Sequence, residues 1–401
     1  MRIMFAVPSF WPSQDGVANI TGYLARGLAK KGHEVLAFTS AGNSGLQELP
    51  EQEIFDDVKI IRMRVETNWP RVLRGRDKKS SGRVYYEQVQ QYQPDVLVVV
   101  CSQTWTLDWI IPYLDKINCA KVFYAHGYSK WMEKYNYAEK LKHRNIIGAW
   151  ELYLCKRYYN NLHLYLKKFD LAIYLSENNN SNLYAKKYKL ENGTVLENAI
   201  EDVFFKSDMK HSYEKECDKE ISYLFIGNYG EYKNQAMLIR AFARAKIGKS
   251  RLVMVGFEEN GYTDYLKELI VQVLSGQQEN KRIELLTHLE RKRVVEYYRE
   301  CDIFVCPSLV ESYPIVAHEA AATAMPIIST DVGIYSEIDG AYIVEDEAQM
   351  CVAMEELYDH PQERKRRGEL AYNWVMGRNC RIQDKVDWLE QELIELTGEK
   401  S

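Results

Sequence analysis

Short, almost uninterrupted apolar runs recur along this chain, and longer stretches with helical spacing separate them. In the first half, Arg2–Val7, Glu34–Thr39, Val58–Met63, Asp95–Val100, Ala120–Ala125 and Asp170–Leu175 read as strands. Val17–Lys31, Gly82–Gln91, Trp105–Lys116 and Glu177–Lys189 carry the periodicity of helices. The second half repeats the alternation. Its strands are expected at Ile221–Ile226, Arg251–Val255, Arg282–Leu286, Asp302–Cys306, Ile327–Thr330 and Tyr342–Val344. Helices are expected at Gln235–Ala245, Tyr262–Ser275, Arg291–Glu300 and Ile315–Ala324. Strands that are apolar on both faces belong in parallel sheets covered by helices on either side. Two such sets predict an α/β protein of two doubly wound, Rossmann-like domains. The boundary is placed near Ala199–Asp218, because Lys206–Glu220 is polar, charge-rich and without a core pattern. From Pro361 onward the chain reads as helical, with Trp374, Trp388, Leu389, Leu393 and Leu396 as apolar anchors.

The 401 residues include 46% hydrophobic and 27% charged side chains, which excludes wholesale disorder and fibrous repeats. The net charge of −5 is unevenly spread: residues 1–200 carry +7 and residues 201–401 carry −12. Either the basic half meets an acidic partner or surface, or the two halves attract each other. The eight cysteines, at 101, 119, 155, 217, 301, 306, 351 and 380, include no CxxC pair, which argues against a zinc or redox motif. Their usage fits a reducing, cytoplasmic setting. No apolar run approaches the roughly 20 residues of a spanning helix.

Two stretches concentrate positive charge. Arg62–Arg83 holds eight basic residues around Trp69. Lys130–Lys168 holds nine, interleaved with Trp131, Tyr135, Tyr137, Trp150, Tyr153, Tyr158, Tyr159 and Tyr165. A basic, aromatic helix of this kind can lie on an anionic membrane, which would make the protein peripheral on the inner face of the cytoplasmic membrane. The alternative is a solvated basic face with the aromatics turned inward. No nucleic-acid-binding motif is present, so no nucleic-acid partner is expected.

Ligands of doubly wound folds bind beyond the carboxyl ends of the strands, so chemistry is expected in the strand-to-helix turns. The most informative runs from Cys306 to Ala322. Pro314 suits a first helical position, which would leave the amides of Ile315, Val316 and Ala317 as free donors for a phosphate. Glu319 lies about one turn further in, and its carboxylate can accept two hydroxyls, as a ribose diol would offer. Glu311 stands in the loop ahead of the helix. Both carboxylates can instead be N-terminal charges favoured by the helix dipole. In the turn after Ile226, Gly227 and Gly230 permit close backbone approach, and Lys233 can neutralise a phosphate. In the first half, Gly16 opens a helix after the first strand. His126 stands at a strand's carboxyl end, as a ligand contact or as a structural histidine.

Taken together these turns resemble the retaining GT-B glycosyltransferases of family 4, also called group 1. The spacing from Glu311 to Glu319 is that family's E-x7-E motif, within Pro307-Ser308 and Glu311-Ser312-Tyr313-Pro314. Ala324–Gly333 and Glu337 resemble the strand and glycine turn that follow it. Asn198-Ala199-Ile200-Glu201, with Phe204, resembles the Asn-Gly-Val-Asp segment, and Phe225–Asn234 resembles the glycine–lysine loop. The likeness spans nearly the whole chain and is strongest over about Ile221–Glu337.

The resemblance implies two Rossmann-like domains facing across a cleft. Residues 1–200 would bind the acceptor, residues 201–377 the nucleotide-sugar, and a C-terminal helix of about 378–398 would return to the first domain. Glu319 would hold the ribose; Lys233 and the amides after Pro314, those of Ile315, Val316 and Ala317, would hold the diphosphate, with Gly227 and Asn228 also in the donor site. Glu311, Ser312, Tyr313 and Pro314 would orient the donor sugar, with Gly16 and His126 facing it from the first domain. Glu311 and His126 are the catalytic candidates. No metal and no cofactor is implied, the nucleoside diphosphate sugar being a substrate. A UDP-sugar donor and a glycan or lipid-linked acceptor in bacterial surface-polysaccharide synthesis are expected.

One departure stands out. The family's phosphate-binding arginine falls at Asn228, which removes a bidentate donor. A catalytically inactive GT-B-like accessory protein is the alternative this raises. A sugar-nucleotide epimerase of the same architecture is a further one.

Overall fold

The computed structural model describes residues 1–13, 15–41, 49–63, 77–128, 146–205, 220–275 and 280–398. The chain divides into two compact units. The first is Met1–Ala199 with Ile382–Ser401, and the second is Ile200–Arg381. The polar stretch at 206–219 and most of the basic stretch at 64–76 lie outside the described residues, as do residues 129–145.

The first unit begins with β1 (Arg2–Ala6), α1 (Gly16–Lys30), β2 (Glu34–Ser40), β3 (Gln52–Phe55) and β4 (Val58–Met63). It continues with α2 (Asp77–Tyr92), β5 (Val96–Val100), α3 (Trp105–Asp108), β6 (Ala120–Tyr124), α4 (Ile146–Leu166), β7 (Leu171–Tyr174), α5 (Asn180–Tyr188) and β8 (Gly193–Val195). The strand order is β3-β4-β2-β1-β5-β6-β7-β8. All described pairs are parallel except β3 with β4. β1 is flanked on both sides, Ile3 pairing with Val35 and with Val96, and it is buried from Ile3 to Ala6. Asp15 starts α1: its Oδ1 accepts from the Val17 and Ala18 amides, 3.0 Å each.

Two expectations need correction here. The helix read at Trp105–Lys116 is α3 followed by a 3-10 turn at Ile111–Lys116, because Pro112 cannot donate to an α-helical ladder. The edge strands β3 and β8 escaped the apolar pattern because they are short and largely unburied.

The second unit holds β9 (Ile221–Ile226), α6 (Gln235–Arg244), β10 (Ser250–Val255), α7 (Gly261–Leu274), β11 (Lys281–Leu286) and α8 (Arg291–Glu300). After these come β12 (Ile303–Cys306), α9 (Ile315–Ala322), β13 (Ile327–Thr330), β14 (Tyr342–Val344), α10 (Glu347–Asp359) and α11 (Pro361–Met376). The order is β11-β10-β9-β12-β13-β14, with every described pair parallel. The Asp302 carboxylate accepts from the Ser222 amide at 2.8 Å and its hydroxyl at 2.7 Å, locking the start of β12 to β9. The alanines of α9 are fully buried and let it pack closely against α11.

The final helix, α12 (Ile382–Gly398), belongs to the first unit and packs on α1. The helical tail is thus two helices broken between Met376 and Ile382, and its anchor Trp374 belongs to the second unit. The two chain passages between units meet inside the second, where the Ile200 amide donates to the Cys380 carbonyl at 2.9 Å.

Candidate active site

In the second sheet the strand order reverses between β9 and β12, and a crevice is expected at the carboxyl ends of those two strands. The segments leaving them carry the glycine–lysine turn and the two glutamates, Glu311 in the loop and Glu319 in α9. They are joined directly: Lys233 Nζ donates to Glu311 Oε1 at 2.6 Å. Ser308 Oγ donates to the same oxygen at 2.8 Å, and the Leu309 amide donates to the Tyr232 carbonyl at 2.9 Å. A short 3-10 turn at Glu231–Lys233, ended by Asn234 in the left-handed region (φ 54°), aims Lys233 inward.

Gly333 closes the far side of this loop. It sits at φ 60°, and a Cβ there would stand 2.9 Å from Pro314 Cδ and 3.0 Å from Glu311 Cβ. Thr330 Oγ1 donates to the Ser308 carbonyl, so the β13 end holds the same loop from below.

Pro314 is the residue before α9, in extended conformation, and not its first helical residue. The Ala317 amide donates to the Pro314 carbonyl at 3.2 Å. That corrects the set of three donor amides to two, Ile315 and Val316, both half-buried. No side chain caps this helix start among the described residues. Tyr313 is buried, its ring 5.0 Å from that of His318, and Ser312 is half-buried beside it.

Glu319 belongs to a second cluster. It is 1% exposed, and both carboxylate oxygens are engaged. Arg291, at the start of α8, donates to Oε1, and the Tyr298 hydroxyl donates to Oε2 at 2.7 Å. Burial, reinforced by the neighbouring carboxylate, pushes the Tyr298 phenol up, so it acts as a donor. Arg291 also donates to Glu201 at 2.7 Å and lies 4.9 Å over the Phe204 ring. Sequence reasoning missed Arg291 and Tyr298. They stand on a helix with an ordinary amphipathic pattern, and nothing local ties them to Glu319.

Gly227 is half-buried, and its amide donates to the Val255 carbonyl at 2.9 Å. The Asn228 side chain is exposed, and its carbonyl accepts from Gln235 at 2.9 Å.

In the first unit the corresponding reversal lies between β1 and β5, since β1 leads towards β2 on one side and β5 towards β6 on the other. Gly16 is exposed at the start of α1, next to the capping Asp15. His126 follows β6, its ring centroid 4.5 Å from that of Tyr124. Its Nε2 is buried with no hydrogen-bond partner among the described residues. Burial lowers its pKa to about 4, against the opposing pull of Asp15, so the ring is neutral near pH 7.

A family model described as "Glycosyltransferase Family 4" matches residues 14–201, and one described as "Glycosyl transferases group 1" matches residues 208–374. The chain belongs to the family 4 glycosyltransferases. Its fold is GT-B, two Rossmann-like units with parallel sheets. Among solved structures, this glycosyltransferase is similar to a sucrose-phosphate synthase from Thermosynechococcus elongatus, with a TM-score of 0.79 at 15% identity over 99% of each chain. It is also similar to a glycosyltransferase from Rickettsia africae, with a TM-score of 0.67 at 17% identity over 98% of each chain. These two likenesses concern the fold. Among curated proteins, 112 residues are 28% identical to a D-inositol 3-phosphate glycosyltransferase of Nocardia farcinica, covering 27% of this chain and 25% of that one. A 49-residue segment is 39% identical to a lipopolysaccharide core biosynthesis mannosyltransferase of Rhizobium meliloti, covering 12% of this chain and 14% of that protein. The matched parts therefore span at most a quarter of these two relatives.

Proposed function

We propose that this glycosyltransferase transfers a sugar from a nucleoside diphosphate sugar, with UDP-sugars favoured, to a glycan or lipid-linked acceptor in bacterial surface-polysaccharide synthesis. The observation that carries the reading is the Lys233–Glu311 pair at the strand reversal of the second sheet, beside the uncapped start of α9. A cation and the uncapped Ile315 and Val316 amides at one strand reversal are what a diphosphate leaving group needs. Lys233 exchanges its carboxylate partner for phosphate oxygens when the donor binds. Glu311, released, turns to the donor sugar together with the Ser312–Pro314 backbone. Glu319 accepts the ribose hydroxyls on the lone pairs that Arg291 and Tyr298 leave.

The reaction in this reading retains the anomeric configuration. The C1–O bond to the diphosphate breaks, the acceptor oxygen bonds C1 on the same face, and the departing phosphate oxygen takes the acceptor's proton. Neutralisation of that leaving group is assigned to Lys233 and the Ile315 and Val316 amides rather than to a metal ion. In the first unit, neutral His126 and the Gly16 backbone are assigned to the donor sugar. A neutral imidazole with an unpartnered Nε2 can exchange a hydrogen bond with a sugar hydroxyl without importing a charge.

The acceptor assignment draws on charge and on α4. Trp150, Tyr153 and Leu164 are about half exposed on this helix, alongside exposed Lys156, Arg157 and Lys167. The Trp150 and Tyr153 rings stack at 5.4 Å. Aromatic and basic groups on one face suit the headgroup region of an anionic membrane, where a lipid-linked acceptor would reside. No described helix is long and apolar enough to cross a membrane.

A thermal-shift panel with UDP, GDP, ADP and their sugar conjugates tests the reading. A ligand at 100 times its dissociation constant stabilises the fold by about 2.7 kcal/mol, a shift of a few degrees. A shift abolished by Glu319→Ala supports the site and names the donor class. No shift with any nucleotide overturns it and favours the second reading, an inactive accessory protein, which the exposed Asn228 in place of a guanidinium motivates.

A further inference from the structure

We propose that Arg291 is a positioning residue that sets the donor site's preference for a ribonucleotide, acting through Glu319; this rests on the reading that Glu319 takes the ribose hydroxyls. Glu319 is among the most buried carboxylates of the chain and comes from α9, whereas its cationic partner comes from the start of α8. A carboxylate so far from water needs a cation or donors beside it, and these fix its rotamer. Arg291 supplies that cation and is itself held on two further sides. Its Nε donates to Glu201 at 2.7 Å, and its guanidinium lies 4.9 Å over Phe204. The Tyr298 ring meets the same Phe204 edge-on at 5.3 Å while its hydroxyl holds the other Glu319 oxygen.

The result is a fixed carboxylate. Each of its oxygens takes one protein hydrogen bond and has the capacity to accept a second. Two parallel acceptor directions with defined spacing match a cis-diol. A freely rotating carboxylate would bind one hydroxyl as readily as two. The fork geometry of arginine is what allows one side chain to bridge Glu201 and Glu319, and a lysine ammonium at the same place would favour one of them. Glu201 follows directly on the passage between the units at 199/200, so the anchor of Arg291 is a segment held by the Ile200–Cys380 hydrogen bond.

Calorimetric titration of the full chain with UDP and 2′-deoxy-UDP, or with GDP and 2′-deoxy-GDP if guanosine is preferred, reads this directly. The wild type is expected to favour the ribonucleotide by roughly 10-fold or more, the loss of one hydrogen bond to a charged group. Arg291→Ala should lower affinity for the ribonucleotide by a similar factor and leave the deoxynucleotide within about twofold, so the preference collapses. Arg291→Lys should restore part of it. Glu201→Gln removes the charge that anchors Arg291 without touching Glu319 and should reduce the preference several-fold at an unchanged melting temperature. In turnover, the donor KM should rise while kcat holds, the mark of an interaction equal in ground and transition states. Full ribose preference in folded Arg291→Lys and Glu201→Gln overturns the proposal while leaving the ribose reading intact. Equal affinity of the wild type for both nucleotides overturns the ribose reading, and the proposal with it.

Discussion

Lys233 and Glu311, 78 residues apart in sequence, meet at 2.6 Å across the strand reversal of the second sheet. Each is mostly shielded from water, with side-chain exposures of 16% and 11%. The pair holds a cation and an anion side by side, with Ser308 donating to the same Glu311 oxygen at 2.8 Å; in the proposed reading a nucleotide-sugar separates them.

Removing either partner should expose this. Lys233→Ala is expected to weaken nucleotide diphosphate binding and to lower kcat/KM by about 10²-fold, comparable to losing one preorganised charge contact. Glu311→Gln should leave nucleotide affinity equal or higher, since Lys233 no longer has to leave a carboxylate, while transfer falls. Steady-state kinetics beside nucleotide titration separates the two. Unchanged transfer in both variants would remove this pair from the mechanism.

Asn228 invites a gain-of-function test. Its side chain is exposed on the same loop, so a longer one meets no steric barrier. Asn228→Arg should tighten diphosphate binding by about 10-fold, the worth of one charge-assisted bidentate contact. A calorimetric titration with UDP in wild type and variant measures it. No change would mean that the loop holds position 228 away from the phosphates.

His126 makes the first unit pH-sensitive. Its folded pKa, near 4, lies below the unfolded value near 6.5. Between these values the unfolded chain binds a proton that the folded chain refuses, so stability rises with pH in this window. The full contribution is present above about pH 6.5 and is lost as pH falls towards 4. The loss is on the order of 1–3 kcal/mol. Urea denaturation at pH 7.5 and 5.0 should show a larger drop in wild type than in His126→Gln. An equal drop would place the sensitivity elsewhere.

Gly27 on α1 faces Val386 on α12, and a Cβ at Gly27 would stand 2.3 Å from Val386 Cγ2. Alanine ordinarily improves a helix interior by about 0.5–1 kcal/mol. Here the neighbour is a stiff, fully buried β-branched side chain, and overpacking costs about 1–3 kcal/mol. Gly27→Ala should therefore destabilise, and Val386→Ala in the same chain should recover part of the loss. Chemical denaturation of the single and double variants decides the sign.

Much of the architecture was legible because it is local. Near-continuous apolar runs at β1, β5, β9 and β12 announce strands covered on both faces, and the Pro314–Ala322 sequence announces a helix start through its own chemistry. The E-x7-E spacing likewise puts one carboxylate in the loop and the other a turn inside α9. Short edge strands such as β3 and β8 were not legible, since a half-exposed strand of three or four residues has no period to detect.

The partners of the site residues were decided only by tertiary structure. The sequence by itself determined which groups carry charge and on which side of which turn they stand. It did not determine that Lys233 would close on Glu311, that Arg291 and Tyr298 would occupy both oxygens of Glu319, or that α12 would lie on α1 through Gly27. Each of these contacts joins segments many residues apart, and the pairing is set by the parallel strand order and by which helix covers which face. The turn reads itself from its own residues; its partners are chosen by the sheet that brings distant turns to one edge.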